Sequence, residues 1–185
     1  MKDRFLELLS SVQRPGIDKL TAWLEKSDMF TAPASTVYHG ACEAGLLAHS
    51  LAVHDILRHM AGPSFPTVEP EFAIVCGLLH DVAKVNFYKT STRNVKNETT
   101  NVWEKVPFYQ IEDKFPMMHG PKSAYIINEF THLSVEEAMA IHWHMGAWGS
   151  SDYADRCALS AAMEKYPLIL ALQMADQAAT FWDKK

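Results

Sequence analysis

The feature that most constrains the fold is an unbroken apolar segment that ends in two polar residues. Residues 72–79 read FAIVCGLL, and His80 and Asp81 follow directly. The pattern predicts a helix over about 71–84 that is apolar on almost every side up to Leu79, and such a helix belongs at the centre of a bundle. The segment is far shorter than the ~20 apolar residues that a membrane-spanning helix needs.

Apolar residues at helical spacing continue along most of the chain, which predicts an all-α bundle in one domain over residues 1–185. Further helices are expected over about 5–12, 17–25, 44–60, 121–129, 135–145, 154–165 and 167–182. Residues 134–137 fit a capping box. Residues 86–118 differ, because they form a polar insertion in which residues 89–95 are predicted to pair with 102–111 as a β-hairpin.

The charge and cysteine content limit the classes of partner and compartment. The 185 residues include 17 Lys and Arg against 22 Asp and Glu, a formal net charge of −5. Without a strongly basic field, the chain is not expected to bind long nucleic acid. Cys42, Cys76 and Cys157 lack CxxC spacing, which is typical of reduced thiols in a cytoplasmic protein. Membrane association is not expected, and the oligomeric state stays open, a homo-oligomer included.

The His80-Asp81 pair is the strongest local indication of chemistry. Polar groups at the end of an apolar segment need partners or a metal. Gly77 has no side chain to block a ligand that approaches the pair, and Lys84 lies one turn after His80, where it could meet a phosphate. The alternative is structural, with His80 capping the helix and Asp81 paired with Lys84.

Two other polar residues fall on apolar helix faces. His49 lies on the apolar stripe of the helix over 44–60, where a lone histidine is more often a hydrogen-bonded core residue than a ligand. His54 and His59 fall off that stripe and are predicted at the surface. Asp176 lies on the apolar face of the last helix, where a carboxylate is rarely buried without a salt bridge or a metal.

Three histidines near the later helices are harder to assign. His119 opens the helix predicted over 121–129. His142 and His144 are two residues apart, which separates them by about 200° around a helix axis. At most one of the two is therefore expected to face a shared site.

These candidates together indicate a metal site. Imidazole and carboxylate groups are the usual ligands of Zn²⁺, Fe, Mn²⁺ and Ni²⁺, and helical bundles build such sites from inward-facing side chains on several helices. Three helices that would be neighbours in a bundle supply His49, His80, Asp81 and Asp176. This set leaves coordination positions open for water and substrate.

The order of these residues resembles the HD-domain metal-dependent phosphohydrolase superfamily, which is named for its His-Asp pair. GLLAHSL at 45–51 and GLLHDVAK at 77–84 are similar to the family's first two segments. HGPKSA at 119–124, HWHMG at 142–146 and MADQAA at 174–179 resemble its later histidine segments and its closing aspartate helix. Five segments in the expected order are specific for the superfamily and say little about the substrate.

The resemblance implies an all-α fold and a divalent metal held by His49, His80, Asp81 and Asp176. The metal would be Mn, Fe, Ni, Co or Zn, with Mg as an alternative. Some members hold a second metal, and the matching positions here are His119 and His144, which could instead contact phosphate. Met145 stands where some two-metal members have histidine, and methionine is a poor ligand for a hard metal. One metal per chain is expected, or two if the second site is complete.

The resemblance also implies hydrolysis of a small phosphorylated substrate, and a nucleotide is the leading candidate. Asp81 would orient the attacking water or accept its proton, and Lys84, with Lys122, would offset the phosphate charge. Because Lys84 precedes the 86–118 insertion and His119 follows it, we expect the insertion to border the mouth of the active site.

Two alternatives of different kinds remain. One is a nucleotide-binding regulatory domain with a vestigial metal site. The other is a 3′→5′ exonuclease for short oligonucleotides, whose bases would stack on Trp103, Phe108 and Tyr109. The net charge of −5 disfavours the exonuclease, and the simpler interpretation of the aromatic residues is packing against the bundle.

Overall fold

The computed structural model describes residues 1–37, 40–60, 67–150 and 152–182. These residues form eight α-helices and one two-stranded antiparallel sheet, so the predicted mostly helical fold is confirmed. The helices are α1 (Lys2–Ser10), α2 (Ile17–Lys26), α3 (Gly45–His59), α4 (Pro70–Leu79), α5 (His119–Asn128), α6 (Val135–Trp143), α7 (Tyr153–Lys165) and α8 (Pro167–Trp182). The strands are β1 (Tyr88–Lys96) and β2 (Trp103–Ile111). No helix among the described ranges is long and apolar enough to cross a bilayer.

The apolar helix α4 lies in the core, as its composition requires. Its side chains from Ala73 onward are buried, apart from the partly exposed Ile74. It packs against α3 and also contacts α1 and α6, while α8 packs against α3 and α6. The helices that bear the candidate site therefore share one core with α4 near its middle.

The end of α4 differs from the prediction. The α-helix stops at Leu79, not near residue 84, and a short 3₁₀ turn over Val82–Lys84 follows Asp81. In a continuing α-helix the Ala83 amide would donate to the Leu79 carbonyl; here it donates to Ser123 Oγ at 3.1 Å. A side chain of α5 thus fixes the turn that carries Asp81 and Lys84.

Gly77 serves helix packing and leaves no space for a ligand, which corrects the sequence-based expectation. A Cβ at Gly77 would lie 2.6 Å from the Cα of His54. The glycine therefore lets the backbones of α3 and α4 approach closely. His54 was predicted at the surface, and this prediction is wrong, because the residue is only 5% exposed. Its Nδ1 lies 3.0 Å from Asp55 Oδ1.

The predicted hairpin is present, and α5 holds its base. The strands pair in register from Tyr88 opposite Ile111 to Lys96 opposite Trp103. Lys122 of α5 is only 6% exposed. Its Nζ lies 2.6 Å from Asp113 Oδ1, just after β2, and 5.0 Å from the ring centre of Phe87, just before β1. One ammonium group therefore contacts the chain at both ends of the hairpin.

Arg14, in the connection between α1 and α2, ties the first helices to the rest of the fold. Its guanidinium donates to both carboxylate oxygens of Glu137 on α6, at 2.7 and 2.9 Å, and also pairs with Glu71 on α4. Glu137 is fully buried and also completes the predicted capping box with Ser134.

Candidate metal centre

The candidate side chains converge on one site from five parts of the chain. They are His49 on α3, His80 and Asp81 at the end of α4, His119 at the start of α5, His144 just after α6, and Asp176 on α8. The sequence had left open whether His142 or His144 faces the site. His144 is buried in the cluster, whereas His142 lies beside Trp143.

One half of the cluster surrounds His49. Its Nε2 lies 3.0 Å from Asp176 Oδ1 and 3.3 Å from His80 Nε2. Oδ2 of Asp81 lies 3.8 Å from the same nitrogen of His49 and 3.6 Å from His80 Nε2. The carboxylate of Asp176 thus pairs with a histidine of the cluster, where a salt bridge to lysine or arginine had been the alternative.

The other half of the cluster surrounds His144. Its Nε2 lies 3.2 Å from His119 Nε2 and 3.6 Å from Asp81 Oδ1. His119 Nε2 lies 3.8 Å from the same oxygen. The two oxygens of Asp81 therefore face two different histidine groups, and Asp81 joins the halves.

Local helix geometry orients two of the imidazoles. Nδ1 of His80 donates to the carbonyl of Gly77 at 3.0 Å, and Nδ1 of His144 donates to the carbonyl of Ile141 at 2.7 Å. Both carbonyls belong to the last turn of a helix, where they lack helical partners. Because a carbonyl only accepts, Nδ1 carries a proton in each ring, and Nε2 faces the cluster.

Close packing of α5 on α6 brings the second histidine pair together. A Cβ at Gly120 would lie 2.3 Å from the carbonyl oxygen of His142. Ser123, one turn further along α5, holds the Asp81 turn through the Ala83 amide. Sequence reasoning assigned no role to Ser123, although the HGPKSA segment that contains it was part of the resemblance.

Burial favours the neutral form of two histidines of the cluster. It lowers the pKa of His80 to about 3 and that of His119 to about 4. Both imidazoles are therefore neutral near pH 7, which is the form that binds a metal. Burial acts in the same direction on His144, but the adjacent Asp81 carboxylate outweighs it and raises the pKa of His144.

The two aspartates stay ionised despite burial. Burial opposes ionisation of Asp81, but the positive charge of Lys84 holds its pKa well below the usual range. Burial likewise opposes ionisation of Asp176, and the hydrogen bond to His49 lowers its pKa to about 2. The cluster thus combines the neutral imidazoles of His80 and His119 with two carboxylates.

One unsatisfied atom indicates that the cluster fits a cation. Oδ1 of Asp81 is buried and has no hydrogen-bond partner among the described residues. Leaving such a group unpaired costs free energy, which a bound cation would offset. Two overlapping sets have ligand atoms within 4.8 Å of one another: His49, His80 and Asp176, and His80, Asp81 and His144. Nitrogen and carboxylate donors of this kind suit a divalent transition metal.

The two lysines that were predicted to offset the phosphate charge, Lys84 and Lys122, make different contacts. Nζ of Lys84 lies 2.6 Å from Asp81 Oδ2, so the structural ion pair considered from the sequence is present. That pair occupies one oxygen of Asp81 and leaves the other unsatisfied. The ammonium of Lys122 is instead bonded to Asp113 at the base of the hairpin.

Comparison with models of protein families gives a match to the HD domain over residues 46–179. That range includes every member of the cluster. The comparisons with curated proteins and with solved structures gave no significant match.

Proposed function

The chain belongs to the HD domain family of metal-dependent phosphohydrolases, and from that premise we propose that it hydrolyses a phosphoester of a nucleotide. The proposed metal ligands are His49, His80, Asp81 and Asp176. His119 and His144 are proposed to hold a second metal or to contact the phosphate.

The observation that carries the proposal is the position of Asp81 between two histidine groups. Its Oδ1 is buried and lacks a hydrogen bond to any described residue, while its Oδ2 is bonded to Lys84. A divalent metal bound in this cluster would polarise a phosphoryl oxygen and lower the pKa of a bound water to about 7.

The chain's own side chains supply the remaining functions. The Asp81 carboxylate is ionised, so it can orient a water molecule and accept its proton. Lys84 lies beside it and can offset the negative charge of the phosphate. His119 is the most exposed member of the cluster, with 31% of its side chain accessible, so it is placed to meet an entering substrate. Phosphoryl transfer depends mainly on positioning and charge stabilisation, and these groups provide both.

A hydrolysis screen with defined metals tests the proposal. The metal-free protein is reloaded with Mn²⁺, Co²⁺, Ni²⁺, Fe²⁺, Zn²⁺ or Mg²⁺, its metal content is measured, and nucleoside mono-, di- and triphosphates, cyclic nucleotides and short oligonucleotides are offered. We expect metal binding and turnover of a mononucleotide. Metal binding without turnover of any substrate would instead indicate a regulatory domain, and preferred turnover of oligomers would indicate an exonuclease.

A further inference from the structure

A cavity lies between the hairpin and the connection from α2 to α3. Its volume is about 310 Å³, which is within the usual range for small-molecule pockets. The hairpin contributes Tyr88, Thr90 and Tyr109. Thr90 and Tyr109 are cross-strand partners, and Tyr88 lies on the same face of the sheet because it is two residues before Thr90.

Tyr88 links this pocket to the metal centre. It lines the pocket and begins β1 four residues after Lys84, whose Nζ lies 2.6 Å from Asp81 Oδ2. The phenol donates a hydrogen bond to the carbonyl of Ala34 at 3.4 Å. The pocket is therefore connected to the turn that carries Lys84, the residue proposed to meet the phosphate.

The wall opposite the hairpin is held by backbone hydrogen bonds. The amide of Ala44 donates to the Thr31 carbonyl at 3.0 Å, and the amide of Leu46 donates to the Ala32 carbonyl at 3.0 Å. Asp28 Oδ1 accepts a hydrogen bond from the amide of Asn86 at 2.6 Å, which joins this wall to the start of the hairpin. These bonds hold Asp28, Thr31 and Ala32 in the wall of the pocket.

The charge of the pocket is opposite to that of a phosphate site. The charged side chains that line it are Asp28 and Glu43, both acidic. An anion is therefore disfavoured in the pocket and favoured beside Lys84. One oxygen of Asp28 is used by the Asn86 amide. Glu43 is exposed, and its carboxylate can accept hydrogen bonds from a ligand.

We propose that this pocket binds the base of the substrate and that the base is guanine. The assignment rests on the proposed function for the phosphate end of the same molecule. Tyr88 and Tyr109 offer aromatic surface to a planar ring. A carboxylate such as that of Glu43 can accept two parallel N–H bonds, and guanine presents such a pair at N1 and its 2-amino group. Adenine, cytosine and uracil do not.

Nucleoside binding to the metal-free protein tests the pocket independently of catalysis. Guanosine and inosine, which lacks only the 2-amino group, are titrated by calorimetry. We expect guanosine to bind at least about tenfold more tightly than inosine. Inosine lacks the 2-amino group, so it leaves a hydrogen-bond acceptor of the site without its partner. Glu43→Gln should abolish this preference, and Tyr109→Leu should weaken both nucleosides. Glu98→Gln, at the exposed tip of the hairpin, is the matched control and should change nothing.

Steady-state kinetics of the metal-loaded enzyme then distinguish binding of the base from hydrolysis of the phosphoester. Glu43→Gln should raise KM for a guanine nucleotide about tenfold and change kcat less than about twofold. This pattern is expected when a variant loses an interaction that the bound substrate and the transition state make equally. Hydrolysis of ribose 5-phosphate, which has no base, should not change.

The outcomes distinguish this inference from the proposed function. Equal binding of guanosine and inosine by the wild-type protein, or an unchanged preference in Glu43→Gln, overturns the base assignment even if phosphoesters are hydrolysed. Absence of hydrolysis with every metal overturns the proposed function, while the nucleoside titration still decides the pocket.

Discussion

Asp81 is the side chain on which the proposed centre depends most, because its oxygens face both histidine groups. Asp81→Asn keeps the size of the side chain but removes its charge. We expect metal affinity and kcat/KM to fall by about 10²-fold or more, since a direct ligand matters at least as much as the residues that orient ligands. The melting temperature should change little, because the apolar core is intact. Full metal content and full activity in this variant would mean that the centre lies elsewhere.

Lys84→Met is the companion variant, because Lys84 contacts Asp81 without being a metal ligand. Its Nζ lies 2.6 Å from Asp81 Oδ2. Loss of the ammonium should leave metal content near the wild-type value and lower kcat/KM, because the phosphate loses a positive charge. Elemental analysis and kinetics on the same preparation check both parts. A loss of metal equal to that of Asp81→Asn would contradict the separate roles.

Burial of His54 predicts a dependence of stability on pH. Burial lowers its pKa from 6.5 and outweighs the opposing effect of Asp55. As the pH falls below 6.5, the unfolded chain binds a proton at this residue before the folded protein does, so folding loses stability. His54→Asn removes that group. The metal-free variant should show a shallower decline in unfolding free energy between pH 7.5 and 5.5, by at most about 1.4 kcal/mol per pH unit. Urea unfolding of the wild-type protein and the variant at both pH values measures this difference. Equal declines in the unfolding free energy of the two proteins would refute the assignment.

The hairpin depends on Lys122 for its attachment to α5. Lys122→Met removes the bond to Asp113 and the contacts with the rings of Phe87 and Phe115. We expect faster amide hydrogen exchange in both strands and a higher KM, with metal content unchanged. The stability cost should be about 1.5–3 kcal/mol, as for a hydrogen bond to a charged group. Lys114→Met is the control, because that side chain is 78% exposed. An unchanged KM would argue against the predicted position of the hairpin at the site mouth.

The buried pair between Arg14 and Glu137 connects the first two helices to α6, and its loss should affect the whole molecule. Arg14→Leu leaves the fully buried Glu137 carboxylate without its main partner. We expect the unfolding free energy to fall by about 3–5 kcal/mol. The double variant with Glu137→Gln should recover part of that loss, because no buried charge remains. Urea unfolding of the three proteins checks the expected order.

Local patterns of the sequence predicted most of the helices and the members of the cluster. The stripe of α3, the apolar run of α4 and the Ser134 capping box depend on residues within a few positions of each other. The resemblance to the HD family added His119 and His144. These parts could be predicted because each segment carries its own periodicity or motif.

What the sequence could not predict depends on contacts between distant segments. The end of α4 at Leu79 depends on Ser123, and the burial of His54 depends on how closely α3 approaches α4 at Gly77. Arg14 and Glu137 are 123 positions apart, and no local pattern links them. In each case the deciding partner is found only once the helices are packed.

The contact between His49 and Asp176 also bears on the stage of synthesis at which the proposed metal site can form. Their side chains are 3.0 Å apart, yet one lies on α3 and the other on the last helix. A chain emerging from the ribosome folds from its N-terminal end, so the nascent protein displays His49, His80 and Asp81 before the carboxylate of Asp176 exists. The proposed ligand set is complete only when α8 docks. A metal bound by the set that includes Asp176 would stabilise the folded state by mass action.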